Sequence, residues 1–344
     1  MITGTVDTSV NLSRSTCFPT DSYRGVKVAV LGASGFIGRW VAGSLCERRA
    51  KVHLIVRDKM FAQEVFRTFN IQGDIAELDL RDHEMVKRVL RKIRPSITFN
   101  LAGYGVDRSE RDEDAAYQIN AHLVKVICEA VAEVGDPEWG GQDIVHVGSA
   151  FEYGAAGGNL SGDTVPNPTT LYGKSKLLGA NLLKEFCATN GLKGVTARLF
   201  TVYGSGEHCG RLLPLLLEVA RTGKLLKLTA GTQKRDFTYV GDAAEGLLRL
   251  GLAAAKPGEI VNLATGRLVS VRSFAETAAR ILHIPRERLE FGSIQTRYQE
   301  MEHSEVALGL LRRLVGWVPP TSVEEGIRST VDFEKRARMQ CAKT

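Results

Sequence analysis

Short apolar runs alternate with amphipathic segments through the first part of the chain. Residues 26–31 (VKVAVL) form an apolar run that only Lys27 interrupts, which is typical of a strand buried on both faces of a parallel sheet. Strands that alternate with helices in this way predict an α/β fold with a doubly wound parallel sheet. The predicted strands are 26–31, 52–56, 75–78, 97–101 and 144–147, and the predicted helices are 38–49, 61–69, 82–92 and 115–134.

The pattern becomes less regular in the second half of the chain. A predicted helix over 170–189 and a predicted strand over 195–200 continue the sheet. We therefore expect an N-terminal arm (1–24), a large sheet domain (25–205, which also receives about 236–265) and a smaller, mixed α/β lobe (206–344). The lobe's predicted elements lie near 212–221, 225–228, 237–240, 243–254, 273–282, 304–314 and 323–337.

Composition places the chain among ordinary globular proteins. Its 344 residues are 44% hydrophobic and 24% charged, which is enough to bury a substantial core. A formal net charge of +6 is small for this length and is weak evidence for nucleic-acid binding, since a few arginines facing a phosphorylated small molecule would account for it. We expect no membrane span, because no apolar run is long enough, and no signal peptide, because residues 1–25 lack an apolar segment.

The cysteines are widely separated along the chain, which leaves no metal-ligand spacing. Scattered cysteines suit reduced thiols in a cytoplasmic enzyme better than a disulfide framework. We therefore expect neither disulfides nor a metal site. The six are Cys17, Cys46, Cys128, Cys187, Cys209 and Cys341.

A glycine-rich motif follows the first predicted strand and opens the first predicted helix. Gly32 permits the tight turn, Gly35 lets backbone N–H groups approach a pyrophosphate, and Gly38 allows close packing of helix on strand. The helix N-terminus adds a partial positive charge for the same anion. The motif predicts a dinucleotide site built from Gly32, Ser34, Gly35, Phe36, Ile37 and Gly38.

Three further residues suggest proton transfer. Tyr172 and Lys176 are four positions apart on the predicted helix 170–189, so both side chains leave the same face. A nearby ammonium favours the phenolate, so we expect Lys176 to lower the pKa of Tyr172 and to bond the cofactor ribose. Ser149 follows the strand predicted over 144–147.

Taken together, these motifs resemble the extended branch of the short-chain dehydrogenase/reductase superfamily, the NAD(P)-dependent nucleotide-sugar epimerases, dehydratases and reductases. The resemblance covers residues 26 to about 328 and implies a Rossmann domain followed by a substrate-binding lobe. It implies that Ser149 bonds the substrate carbonyl or hydroxyl and that Tyr172 exchanges the proton. The nicotinamide would exchange the hydride.

The resemblance also implies further contacts. Those to the cofactor are Asp79, Leu80, Leu101, Ala102, Gly103, Asn120, Phe200 and Val202, besides Tyr172 and Lys176. Those to a nucleotide-sugar substrate are Tyr104, Ser149, Ala150, Phe151, Thr201, Arg211, Arg235 and Arg297. The last two arginines correspond to residues that hold a diphosphate, which a guanidinium binds bidentately. Thr201 departs from the family, because many relatives have Asn there.

The end of the second predicted strand bears on cofactor choice. Relatives that use NAD carry an acidic residue there, which bonds the ribose 2′-hydroxyl. In this chain the position is Arg57, which suits a 2′-phosphate. NADP(H) is therefore favoured, and NAD(H) stays possible because Asp58 comes next.

The residues after Ser149 bear on the reaction. Family 4,6-dehydratases carry an acid–base pair where this chain has Ala150 and Phe151, neither of which transfers protons. Glu152 is shifted by one position, and in an extended backbone it would point away. A dehydratase is disfavoured unless Glu152 reaches the site from an irregular loop.

Several functions remain after that comparison. We favour an NADP(H)-dependent reductase of a nucleotide-linked 4-keto(-6-deoxy) sugar, with an NAD-dependent 4-epimerase as the first alternative. A dihydroflavonol-reductase-like enzyme would not need the set Arg211, Arg235 and Arg297, and a non-catalytic dinucleotide sensor would not need the complete trio. The resemblance also implies a homodimer that pairs the helices predicted over 115–134 and 170–189.

Overall fold

The computed structural model describes residues 21–105, 110–295 and 305–341 of the chain. Fourteen strands lie in these ranges. They are β1 Lys27–Leu31, β2 Lys51–Val56, β3 Asp74–Glu77, β4 Ile97–Asn100, β5 Ile144–Ser149, β6 Asn159–Leu160, β7 Gly194–Leu199, β8 Thr201–Tyr203, β9 Leu226–Leu228, β10 Lys234–Tyr239, β11 Glu259–Leu263, β12 Leu268–Ser270, β13 Leu289–Phe291 and β14 Glu305–Val306.

The described α-helices are α1 Phe36–Glu47, α2 Lys59–Thr68, α3 His83–Ile93, α4 Glu113–Tyr117, α5 Leu123–Val134, α6 Leu171–Asn190, α7 Leu212–Thr222, α8 Val240–Leu252, α9 Val271–Ile281, α10 Gly309–Val315 and α11 Val323–Cys341. A π-turn over Gln118–His122 joins α4 to α5. Short 3-10 turns cover Ala150–Glu152 and Arg286–Arg288.

Seven parallel strands form the main sheet, in the order β11-β7-β5-β4-β1-β2-β3. The strand order reverses between β1 and β4. From β1 the chain continues to β2 on one side, and from β4 it continues to β5 on the other side. In open α/β sheets, a ligand crevice lies at this switch point, outside the carboxyl ends of the strands. The predicted doubly wound Rossmann fold is confirmed.

Helices cover both faces of the sheet because its strands carry apolar side chains on each side. Val28 and Val30 of β1 pack into a core with α1 and α8, whereas Ala29 and Leu31 pack into a second core with α3, α5 and α6. Helix α6 lies against β5 and β7, beside the switch point.

The C-terminal part builds a smaller lobe around a third core. Phe237 of β10 stacks on Phe274 of α9 with ring centroids 4.2 Å apart, and α7 and α11 close the same core. Strand β11 joins the main sheet, whereas β10 pairs with β8 and β12 in a separate three-stranded sheet. The chain thus passes from the lobe back to the main sheet before it returns to the lobe.

Two predicted helices differ from the structure. The helix predicted over 115–134 contains the π-turn, which adds one residue to a turn without breaking the helix. The helix predicted over 304–314 begins later, at Gly309, because residues 305–306 pair with β6 as strand β14. Within the described ranges, no helix has both the length and the apolar content needed to cross a lipid bilayer.

Candidate active site

The glycine turn lies between β1 and α1, at the switch point of the sheet. Gly32 has φ +75°, and a Cβ there would lie 3.1 Å from the backbone nitrogen of Ala102. Gly35 precedes the first residue of α1, and none of the described side chains caps that helix. Its first N–H groups are therefore left for an anion such as a dinucleotide pyrophosphate.

Arg39 supports this turn and was missed by the sequence analysis. Its Nη2 donates to the carbonyl of Ser34 at 2.7 Å, and its Nε donates to the carbonyl of Gly35 at 3.0 Å. The side chain therefore ties two carbonyl groups of the turn to α1. An arginine directly after Gly38 was the available signal, because its side chain leaves the first turn of α1.

Four charged residues that bear on the cofactor follow the ends of β2 and β3. Arg57 is exposed, while Asp58 is occupied as the N-cap of α2, where its Oδ1 accepts from the amide of Phe61 at 2.9 Å. The guanidinium of Arg81 hydrogen-bonds Asp79 and, with a smaller contribution from Arg57, lowers the pKa of that carboxyl. Two guanidinium groups thus lie near Asp79.

The predicted trio comes together at the carboxyl end of β5. Thr170 caps α6 by accepting from the amide of Gly173 at 3.0 Å, which places Tyr172 in the first turn of that helix. The Tyr172 phenol interacts with the Ser149 hydroxyl. Lys176, one turn further along α6, is buried, and its Nζ donates to the carbonyls of Val147 at 3.0 Å and Ala102 at 3.2 Å.

The pKa of Tyr172 differs from the expectation. Burial raises it to about 12, and the bond from Ser149 only partly opposes this shift. Burial also lowers the pKa of Lys176 to about 8, against the opposing charge of Glu152. Lys176 is not among the groups that shift this pKa, so the expected lowering by Lys176 is not observed and burial dominates. At neutral pH the phenol is protonated and can donate.

Ala102 connects the glycine turn to the trio. Its backbone lies against Gly32 on one side, and its carbonyl accepts from Lys176 on the other. A Cβ on Gly103 would lie 3.5 Å from the same Nζ. The glycine turn and Lys176 therefore contact the same loop after β4.

Asn120 has a structural position within this site. Its Oδ1 accepts from the amide of Tyr104 at 3.0 Å, and its Nδ2 donates to the carbonyl of Tyr104 at 2.8 Å and to Ser175 Oγ at 2.9 Å. The side chain is fully buried. Asn120 therefore fixes the loop after β4 against α6.

His146 is another buried polar residue that the sequence analysis did not single out. Its Nδ1 lies 3.1 Å from Nδ2 of Asn100 on the neighbouring strand. Burial, helped by the charge of Lys176, holds the pKa of His146 well below its usual range. The imidazole is therefore neutral and accepts from the Asn100 amide.

The predicted substrate residues are distributed unevenly around Tyr172. The ring of Phe151 is 42% exposed and meets Tyr172 edge-on, with centroids 5.9 Å apart, whereas Ala150 is buried. Arg211, at the start of α7, is close enough to lower the pKa of Tyr172. Arg235 lies on β10, where its Nη1 donates to the carbonyl of Lys234.

The other predicted contacts fall as follows. Leu80 and Leu101 are half-buried at strand ends, as are Phe200 and Thr201, while Val202 is buried. Arg297 lies outside the described residues. In the described ranges, no cluster of three or more metal-ligating side chains occurs, and Cys46, Cys128, Cys187 and Cys209 are free thiols.

Glu152 lies beneath the site. Because residues 150–152 form a 3-10 turn, its side chain folds back and does not follow the extended path considered in the sequence analysis. Its Oε1 accepts from the Ser149 amide at 2.7 Å, and its Oε2 accepts from Arg198 Nε at 2.6 Å. Both of its carboxylate oxygens are therefore occupied.

Comparison with known proteins agrees with this geometry. A family model described as the NAD dependent epimerase/dehydratase family matches residues 28–264. A dTDP-6-deoxy-L-talose 4-dehydrogenase (NAD(P)(+)) from Kitasatospora kifunensis is 30% identical over 88% of this chain and 93% of its own length. A dTDP-glucose 4,6-dehydratase from Xanthomonas campestris is 26% identical over 88% of this chain and 92% of its own length.

Solved structures show the same fold. MoeE5 in complex with UDP-glucose and NAD superposes with a TM-score of 0.75 at 25% identity, over 90% of this chain and 99% of its own. A UDP-glucose 4-epimerase from Thermotoga maritima, in complex with UDP-glucose, has a TM-score of 0.79 at 23% identity, over 90% of this chain and 98% of its own.

The fold and the comparisons together define an NAD(P)-dependent enzyme of the kind that acts on nucleotide sugars. The chain belongs to the NAD-dependent epimerase/dehydratase family, within the extended short-chain dehydrogenases/reductases.

Proposed function

We propose that the chain is an NADP(H)-dependent reductase of a nucleotide-linked 4-keto(-6-deoxy) sugar. The observation that carries this proposal is the state of the groups around Tyr172. The phenol is protonated, its neighbours Ala150 and Phe151 cannot transfer protons, and both oxygens of Glu152 are occupied. One proton donor is sufficient for ketone reduction, whereas dehydration requires a further acid–base pair.

The side chains support this reaction in distinct ways. Ser149 Oγ accepts from the amide of Phe151 at 3.2 Å, and its own proton can turn from Tyr172 to the substrate carbonyl oxygen. Tyr172 then donates the second hydrogen bond and transfers its proton to the same oxygen. When bound, the cofactor supplies the hydride. Lys176 holds the ribose and stabilises the phenolate that remains.

The charges at the ends of β2 and β3 support NADP(H). Asp58 caps α2 through Oδ1, which ties its side chain to the start of that helix. Arg57 is exposed, and Arg81 lies close by on Asp79. Guanidinium groups suit a phosphate. The similar talose dehydrogenase is named as using NAD(P), which is compatible with either cofactor.

The sugar and its diphosphate are proposed to extend from Tyr172 toward the lobe. The name of the talose dehydrogenase includes oxidoreduction at position 4 of a 6-deoxy sugar, which is the same type of chemistry. The exposed ring of Phe151 suits an apolar C6 methyl group next to the reacting carbon. Arg211, Arg235 and Arg297 are proposed to bind the diphosphate.

A 4-epimerase is the second candidate, because it uses the same trio with tightly held NAD. The experiment mixes purified protein, NADPH and an NDP-4-keto-6-deoxy sugar and follows absorbance at about 340 nm. Stoichiometric NADPH oxidation supports the reductase. Copurified NAD together with interconversion of 4-epimers, and no net NADPH oxidation, supports the epimerase and refutes the reductase.

We further propose a homodimer through α5 and α6. Most apolar residues of α5 are buried against α3 and α6, whereas Leu178 and Leu182 on α6 stay half-buried. A second subunit could cover them. Light scattering is expected to give twice the chain mass, and a monomer at micromolar concentration would count against this arrangement.

A further inference from the structure

The strongest unassigned feature is a charge pair enclosed beneath the catalytic serine. Glu152 and Arg198 have side chains that are 0% and 1% exposed, respectively. The guanidinium carbon of Arg198 lies 4.5 Å from the centre of the Tyr153 ring. Within the described part of the chain, Nη1 and Nη2 of Arg198 have no hydrogen-bond partner. Glu152 is therefore the carboxylate that pairs with this buried cation, beside the Tyr153 ring.

The same carboxylate holds the backbone of Ser149. Its Oε1 accepts from the Ser149 amide, while Ser149 Oγ accepts from the Phe151 amide, so the two residues cap the turn reciprocally. A Cβ on Gly148 would lie 2.5 Å from Oε1, so the carboxylate fills the space that a side chain would need there. The direction of the serine hydroxyl thus depends on Glu152.

Glu152 also faces the other members of the trio. Its negative charge opposes the effect of burial on the pKa of Lys176 and adds to the rise in the pKa of Tyr172. Arg198 and Tyr153 lie next to Glu152 itself. Of the other neighbouring titratable and charged groups, His146 is neutral and faces Lys176, while Arg211 and Glu110 face Tyr172. The buried Glu152 carboxylate therefore affects both the position of the Ser149 hydroxyl and the charge of Lys176.

We propose that Glu152 is a positioning residue that orients the Ser149 hydroxyl, with Arg198 holding the carboxylate in place. This inference rests on the proposed function, because it assumes carbonyl reduction by the trio. In this role, Glu152 transfers no proton to the substrate.

The test separates positioning from structural support. Removing Glu152 alone leaves Arg198 buried and unpaired, which destabilises a fold strongly, whereas replacing both partners with apolar residues is often nearly neutral. The informative variant is therefore the double substitution Glu152→Leu with Arg198→Met. Glu152→Gln serves as a second variant. It retains the size of the side chain, but its single amide oxygen can accept from only one of the two donors, the Ser149 amide and Arg198 Nε.

We expect the double variant to melt close to the wild type while its kcat falls about 100-fold with little change in KM, since a displaced hydroxyl misaligns the carbonyl. The alkaline limb of its pH profile should move to lower pH, because Lys176 loses the opposing anion and deprotonates earlier. Glu152→Gln should show the same two changes. Wild-type kcat and an unmoved alkaline limb in either folded variant would overturn the proposal.

A matched control comes from another carboxylate held by arginines. Glu245 accepts from Arg48 Nη2 at 2.6 Å and from Arg249 Nε at 2.7 Å on the opposite face of the sheet. Glu245→Gln should lower the melting temperature and leave both kcat and the alkaline limb unchanged.

Failure of the proposed function gives a different result. A wild-type enzyme that reduces no 4-keto sugar nucleotide refutes that function, and a crystal structure of Glu152→Gln then tests the inference directly. We expect the Ser149 hydroxyl to move away from Tyr172 in that structure. An unmoved hydroxyl would refute the positioning role.

Discussion

The sheet side and the lobe side of the crevice hold their polar groups differently. On the sheet side, Lys176 and Glu152 are buried and bound to backbone or to a charged partner. On the lobe side, the Arg211 side chain is 45% exposed and contacts Glu207 at 3.3 Å. In the proposed reaction, the proton-transfer groups are thus held by more hydrogen bonds than the proposed substrate-binding arginine. Substitutions on the two sides should affect different kinetic constants.

The largest effect is expected for Tyr172→Phe. Loss of the proton donor should lower kcat by about 10²- to 10⁴-fold and leave NADPH affinity nearly unchanged, because the ring still packs against Phe151. Stopped-flow absorbance and fluorescence titration of NADPH measure the two quantities. Near-normal turnover would reject the assignment of Tyr172.

A smaller effect is expected across the crevice for Arg211→Gln. The variant should raise the substrate KM by about 10- to 100-fold, the range expected for losing hydrogen bonds to a charged group, while kcat stays near the wild type. Initial rates over a range of substrate concentrations separate the two constants. A loss of kcat without a change in KM would indicate that Arg211 acts in the chemical step and not in substrate binding.

Cofactor choice is expected to change moderately in Arg57→Ser. This variant should lose about tenfold in kcat/KM for NADPH and little for NADH, because only the 2′-phosphate loses a partner. Parallel assays with the two cofactors measure the ratio, with Lys59→Ser on the adjacent helix as a control for lost surface charge. Equal losses with both cofactors would contradict an Arg57–phosphate contact.

The smallest expected effect concerns stability on the lobe side. Burial raises the pKa of Glu207 to about 7 from 4.5, so the folded protein holds this proton more tightly than the unfolded chain. Stability from this group is present below about 4.5 and is lost as pH rises through about 7. The Glu207→Gln variant does not titrate and so does not lose this stability. The difference between its melting temperature and that of the wild type should therefore rise by a few degrees between pH 5 and pH 8. A difference that stays constant across this range would contradict the interpretation.

The sheet and the proximity of Ser149, Tyr172 and Lys176 could be predicted from the sequence, because both depend on local sequence patterns. The strand runs, the glycine turn and the spacing of Tyr172 and Lys176 are local patterns, and the structure brings them together at one strand end. Strands β6 and β14 escaped prediction, since each has two residues and exists only through pairing across the lobe.

The electrostatics of the site could not be predicted from spacing. Burial of Tyr172 depends on how Phe151 and α6 pack, and this packing reverses the expected direction of its pKa shift. The pairing of Glu152 with Arg198 joins two strand ends that are distant in sequence. A turn of three residues was enough to change where that carboxylate points.

The π-turn at Gln118–His122 limits the changes in length that this helical segment can accept. It contains one more residue than a regular turn, and this surplus lets Asn120 reach the loop after β4 while α5 keeps its apolar side on the sheet. Deleting one residue here would restore a regular helix and rotate one half against the other by about 100°. Insertions and deletions in this segment are therefore restricted, although it lies outside the chemical centre.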